Sequence, residues 1–160
     1  LNRDSTVAVN AALLDGDVPV YAVAGPAMVI AGPGVTLMCK EGEFSVGLGC
    51  RRGTSGKAVE KAIREALEVS GISACEVSVY ATTEKKTHEP GIIEGVRALG
   101  GTLIFLDDAV LSRHPPKSPS RAGAVGLAGV AEPSALATSR KKELVMRKTI
   151  FGEVTVAIAR

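Results

Sequence analysis

A chain of 160 residues with 46% hydrophobic content is long enough to bury one core and gives little reason for two full domains. Its net charge of +2 comes from interspersed acids and bases, and with no tryptophan and 3% aromatic residues it has neither the basic stripe nor the stacking surface of a nucleic-acid-binding protein. The 18 glycines among many alanines and valines fit tightly packed strands and helices joined by glycine turns, an α/β-like composition.

Residues 1–42 read as an N-terminal extension, with a soft boundary near Lys40 and the main domain over 43–160. VAVNAALL at 7–14 suits a short helix or strand, DGD at 15–17 a turn, and VPVYAVA at 18–24 a strand. AGPGVTLMCKEG at 31–42 reads as a linker or an edge strand. Asp15, Asp17, Pro19, Gly25 and Pro26 interrupt the early apolar runs, so none reaches the ~20 residues of a membrane span. No basic region precedes a hydrophobic one as in a signal peptide, and Leu1 in place of an initiator methionine suggests a fragment or trimmed product.

From residue 43 strand and helix alternate. FSVGLG at 44–49 is a short apolar strand, and from Ser55 to Ser70 the residues Val59, Ala62, Ile63, Ala66 and Leu67 recur at helical spacing up to a Gly71 cap. EVSVYAT at 76–82 alternates as a strand. A second helix is expected from Pro90, with Ile92, Ile93, Val96 and Leu99 on one face and a stop at Gly100. TLIFLD at 102–107 is the third strand, followed by the proline-rich HPPKSPS and a glycine-rich stretch. A short helix over 133–139 and strands near 143–148 and 153–159, joined by a turn at Phe151 and Gly152, complete the chain. This order predicts an α/β fold: a three-layer α/β/α domain whose mixed, mainly parallel sheet ends in an antiparallel pair. No internal repeat is evident.

GLGCRRGTSGK at 47–57 lies where a strand runs into a helix, the place where backbone N–H groups and the positive end of the helix dipole converge on an anion. Gly47, Gly49 and Gly53 permit close backbone approach, Arg51 and Arg52 offer forked donors, and Thr54 and Ser55 open the helix. The alternative is a tight connection with solvated arginines. A Walker A loop is not met, because Arg51 stands six before Lys57 and Ala58 follows it. GxGxxxG with nearby arginines leaves NADP binding by an oxidoreductase as a weak competitor, since no acidic residue closes the second strand to hold a ribose.

The glycine turn GLGCRRGTS, the pair Lys86 and Glu89 with Gly91 just after, GVAEPSALA at 129–137 and the final VTVAIA at 154–159 stand in the order found in the cobalt-precorrin-5A hydrolase family (CbiG/CobE), whose C-terminal domain residues 43–160 resemble. VNAALLDGDVPVY at 9–21 looks like the central segment of its longer members, whose N-terminal domain is missing here. The resemblance implies a cytoplasmic protein of cobalamin (vitamin B12) biosynthesis. Its longer members open the δ-lactone of cobalt-precorrin-5A with loss of acetaldehyde on the anaerobic route; the shorter ones belong to the aerobic route. The implied partner is a corrinoid, a large tetrapyrrole ring edged with carboxylates, its cobalt carried in the substrate with no further cofactor. Neither nucleic acid nor membrane is expected as a partner, and a homo-oligomer or a missing N-terminal domain is compatible.

Such a ligand needs anion sites at its edge and small or apolar residues at its face. Gly47, Gly49, Cys50, Arg51, Arg52, Gly53, Thr54 and Ser55 are the candidate substrate-binding set. Glu89 and Glu132 each precede a proline, so each reads either as a helix cap or as the carboxylate that activates water, with Lys86 or an arginine steadying the oxyanion. Cys50 sits where a thiol can be activated, yet no histidine is adjacent, and a structural thiol is the better reading. Cys39, Cys50 and Cys75 lack CxxC spacing, and His88 and His114 lack ligand spacing, so no disulfide framework or metal site is expected. HPPKSPSR at 114–121 is a lid bearing Lys117 and Arg121 or, preferably, a stiff connection, and RKK at 140–142 a solvated turn. The family activity and a non-catalytic corrinoid-binding module remain the two readings.

Overall fold

The computed structural model of the chain describes residues 22–24, 28–31, 35–38, 42–118 and 129–160. Short strands β1 (Ala22–Ala24), β2 (Met28–Ala31) and β3 (Val35–Met38) come first, then β4 (Phe44–Cys50), α1 (Gly56–Val69), β5 (Val77–Thr83), α2 (Pro90–Ala98) and β6 (Leu103–Leu106). The short helix α3 (Asp108–Ser112), α4 (Ala131–Thr138), β7 (Leu144–Phe151) and β8 (Val154–Ala159) follow. The six-stranded sheet runs β1-β6-β5-β4-β8-β7, while β2 and β3 pair as an antiparallel ribbon. β4, β5 and β6 are parallel, β8 lies antiparallel beside β4, and β7 forms the antiparallel edge. The mixed α/β sheet expected from the sequence is therefore present, its closing hairpin docked against the first strand of the parallel run.

Alternation along the strands separates two cores. Val46 and Leu48 of β4, Tyr80 of β5, Leu103 and Phe105 of β6, and Val154, Val156 and Ile158 of β8 share one face with Val59, Ile63, Ile92 and Val96 of α1 and α2. The opposite face is built from smaller groups. Ala157 and Ala159 meet Ala131, Ala135 and Leu136 of α4, while Ala81 and Ile104 meet Val110 and Leu111 of α3. Gly47 belongs to this face: an added Cβ would overlap the carbonyl oxygen of Ala131 and lie 2.6 Å from Ala135 N, so its bare backbone lets α4 seat on the sheet.

Helix ends follow the sequence closely in the first half. Ser55 caps α1 by accepting from Ala58 N at 3.3 Å, and Gly71 and Gly100, at φ 65° and 64°, end α1 and α2. Three boundaries differ. The helix expected over 133–139 starts at Ala131, so Glu132 and Pro133 sit within its first turn. The hairpin turn falls at Gly152, φ 61°, with Phe151 still in β7. Asp107 ends no strand: its carboxylate accepts from Val110 N at 2.7 Å and starts α3, which is too short to show hydrophobic periodicity in sequence. The readings of 7–14 and 15–17 lie outside the described residues, and of the strand expected at 18–24 Ala22–Ala24 is described, paired antiparallel with β6.

Candidate functional site

The parallel strands point their C-terminal ends at one side of the domain, the edge where open α/β sheets hold ligands. A cavity of about 610 Å³ opens there. Cys50 and Thr83, at the ends of β4 and β5, line it, and Lys85, Lys86 and Asp108 are its charged residues. Leu111, Pro115, Pro116, Val130 and Pro133 supply apolar surface.

The glycine turn beside this cavity is already engaged by the protein's own carboxylate. Gly53, at φ 77°, donates its N–H to Glu89 Oε2 at 3.0 Å, and Lys86 Nζ lies 3.5 Å from Glu89 Oε1. Arg52 approaches Glu89 at 3.8 Å with its side chain 96% exposed, a geometry in which an ion pair contributes little. Thr54 is buried and donates to Arg51 O at 2.9 Å, while Arg51 N–H donates to Glu153 O at 3.2 Å. Gly91 lets α2 press against the turn, since a Cβ there would overlap Thr54 O. Glu89 precedes α2 but makes no hydrogen bond to that helix. The Gly53 N–H chiefly, with Lys86 and Arg52, holds its carboxyl below the ordinary range against the opposing effect of burial. Glu89 is thus an anion that orients Lys86, which is 21% exposed and faces the cavity.

Glu132 is 1% exposed. Burial alone would push its carboxyl up, yet four donors outweigh it and hold it below the ordinary range: Ser118 Oγ, the Lys148 N–H, the Ser118 N–H and the Lys117 N–H. Ser118 Oγ donates at 2.5 Å, and the Ser118 and Lys148 N–H groups both donate at 2.9 Å. The two Glu-Pro carboxylates therefore cap neither of their own helices. Each ties together segments distant in sequence, a function that spacing along the chain could not reveal.

Of the residues singled out in the sequence, Lys86 and Cys50 line the cavity among the described residues. Gly47 and Gly49 lie in β4, Arg51, Arg52, Gly53, Thr54 and Ser55 form the adjoining turn, Glu89 contacts Lys86, and Glu132 is buried in the first turn of α4. Lys85, Asp108, Leu111 and the two prolines are the lining residues that sequence reasoning missed or left as a connection. Their signal was positional, because the loops after β5 and β6 must emerge on the same side as the glycine turn. Lys85 and Asp108, both lining the cavity, are paired at 2.6 Å. RKK at 140–142 is exposed; Lys142, at φ 58°, donates to Ala137 O at 2.8 Å.

Burial chiefly pushes the Cys50 thiol up, with Glu89 and Glu153 adding to it and Lys86 and Thr54 only partly opposing. A thiol so held is protonated at neutral pH and a poor nucleophile. Peptide-mapped alkylation at neutral pH should label exposed Cys75 well before Cys50; preferential labelling of Cys50 would contradict this assignment.

Both lowered carboxyls also set a pH dependence. Both are held below the ordinary glutamate range in the folded state, so their bonds stabilise the fold above that range and the contribution is lost as pH falls through the folded pKa. Urea midpoints measured downward from pH ~6 should therefore decline steeply below about 4.5, and less steeply in Glu89→Gln. Parallel curves would remove Glu89 from this linkage.

Among the described residues no helix is long and apolar enough to cross a membrane, and no group of three His, Cys, Asp or Glu side chains is arranged to hold a metal ion.

Comparison with known proteins matches residues 44–159 to the family described as cobalamin synthesis G C-terminus. The chain is 30% identical over 118 residues to cobalt-precorrin-5A hydrolase of Priestia megaterium, a match covering 72% of this chain and 32% of that protein. It is 27% identical over 119 residues to protein CobE of a Sinorhizobium species, covering 71% of this chain and 77% of that one. Among solved structures, that of CobE, a protein from the cobalamin biosynthetic pathway, superposes with a TM-score of 0.65 at 30% identity over 73% of this chain and 89% of that chain. The chain thus spans about a third of the length of the hydrolase it matches.

Proposed function

The chain belongs to the cobalamin synthesis G C-terminus family, and from that premise we propose that it binds a corrinoid intermediate of cobalamin biosynthesis in the cavity beside the glycine turn and takes part in opening the δ-lactone of cobalt-precorrin-5A, with loss of acetaldehyde. The observation that carries this reading is the mixed lining of the cavity: Lys85 and Lys86 suit the carboxylates at the rim of the macrocycle, and leucine, valine and prolines suit its apolar face. Lys86, oriented by Glu89, is the group placed to meet a ring carboxylate or to steady the oxyanion that forms when water attacks the lactone carbonyl. Of the two Glu-Pro carboxylates, Glu89, in contact with Lys86 at the cavity, would be the one to take a proton from that water, and its lowered pKa makes it a weak base. Glu132 is assigned no proton transfer, because its oxygens are already occupied by donors.

That same occupancy favours a second reading, in which this domain holds the corrinoid while other groups perform the chemistry. Incubating the purified chain anaerobically with cobalt-precorrin-5A distinguishes the two. Release of acetaldehyde supports hydrolysis by this chain, and a spectral change on binding without acetaldehyde supports the binding module. Neither binding nor turnover would sink both.

A further inference from the structure

Glu132 accepts three hydrogen bonds among the described residues, and the reading above leaves it without a chemical step. Its donors come from two stretches of chain that converge on α4. Ser118 contributes its N–H and its hydroxyl from the segment carrying Pro115 and Pro116, and Lys148 contributes its N–H from β7. The β7–β8 ladder shifts register between Met146 and Thr149, and within that irregularity the Lys148 N–H bonds to Glu132. The edge strand thus departs from regular pairing where the carboxylate needs a donor. Val130 and Pro133 of the α4 N-terminal turn and Pro115 and Pro116 of the preceding segment all line the cavity.

A buried carboxylate is costly to desolvate and is retained only where several donors compensate it. Apolar contact among prolines is non-directional and allows sliding. Hydrogen bonds from two backbone N–H groups and a hydroxyl onto one charged group define a single arrangement. We propose that Glu132 is a positioning residue: its carboxylate pins the Pro115–Pro116 wall to the start of α4 and to β7, and so sets the width of the cavity that receives the macrocycle. This rests on the cavity being the corrinoid site.

The test uses Glu132→Gln and, should that variant fail to fold, Ser118→Ala, which keeps the charge and the backbone donors but removes the hydroxyl. Hydrogen exchange reads the wall directly. In either variant the Ser118 and Lys148 amides should exchange at least about tenfold faster while the β4 amides of Val46 and Leu48 keep their protection, a local loosening that a general loss of stability would not produce. Titration with cobyrinic acid, a cobalt corrinoid bearing free carboxylates, should give about tenfold weaker binding for Glu132→Gln and a smaller loss for Ser118→Ala, with the salt dependence of the wild type, because no charge that touches the ligand is removed. Unchanged exchange at Ser118 and Lys148, or wild-type affinity in a variant whose wall has loosened, would overturn the proposal. If the wild type itself fails to bind the probe, the corrinoid reading falls, and the exchange measurement alone decides whether Glu132 holds the wall.

Discussion

Replacing Gly47 with alanine should destabilise the domain by about 3 kcal/mol or more, because the new methyl group cannot be accommodated by a rotamer change. It would overlap Ala131 O and come within 2.6 Å of Ala135 N, both backbone atoms of α4. The helix has to lift off the sheet, taking Val130 and Pro133 of the cavity wall with it. Gly49 provides the control, two residues on in the same motif: a Cβ there meets nothing nearer than Thr155 Cβ at 3.8 Å, and Gly49→Ala should stay within roughly 1 kcal/mol of the wild type. Urea denaturation midpoints measure both. Equal tolerance at the two positions would mean that α4 does not sit on β4 as described.

Lys86→Ala should weaken cobyrinic acid binding at least about tenfold, the loss expected when one charge-assisted hydrogen bond of roughly 1.5–3 kcal/mol is removed from a shielded site. The same change should reduce the dependence of affinity on added salt. Alanine at both Arg51 and Arg52 should cost less than about threefold, since Arg52 is 96% exposed and neither side chain lines the cavity among the described residues. Isothermal titration of the two variants against wild type, at two salt concentrations, checks both halves. A larger loss from the arginine pair than from Lys86 would return the anion site to the glycine turn and displace it from the cavity. The comparison also bears on Glu89, whose carboxylate accepts from the Gly53 N–H that a ligand anion would otherwise use.

Much of the architecture was legible because local chemistry decides it. Five apolar residues at helical spacing between Ser55 and Gly71 specify α1 and both of its ends, and the alternation in 76–82 and the apolar run at 102–107 specify β5 and β6 to within a few residues. The order of these elements requires a parallel run, and four motifs in sequence led to the family that comparison then matched over residues 44–159. What no local pattern contains is the pairing of groups far apart in the chain. GLGCRRGTS reads alone as an anion cradle, yet one of its N–H groups is taken by Glu89, 36 residues away. Glu132 reads as a cap or a base, yet folding brings Ser118 and Lys148 onto it, 14 and 16 residues distant. Gly47 reads as freedom for a ligand, yet its bare backbone faces α4. Sequence by itself determined α1, α2, the three parallel strands, the closing hairpin, their order and the family, because propensity, periodicity and capping act within a few residues. Only the tertiary structure decided which charges remain available at the cavity, because long-range hydrogen bonds consume donors and acceptors that composition and spacing count as free.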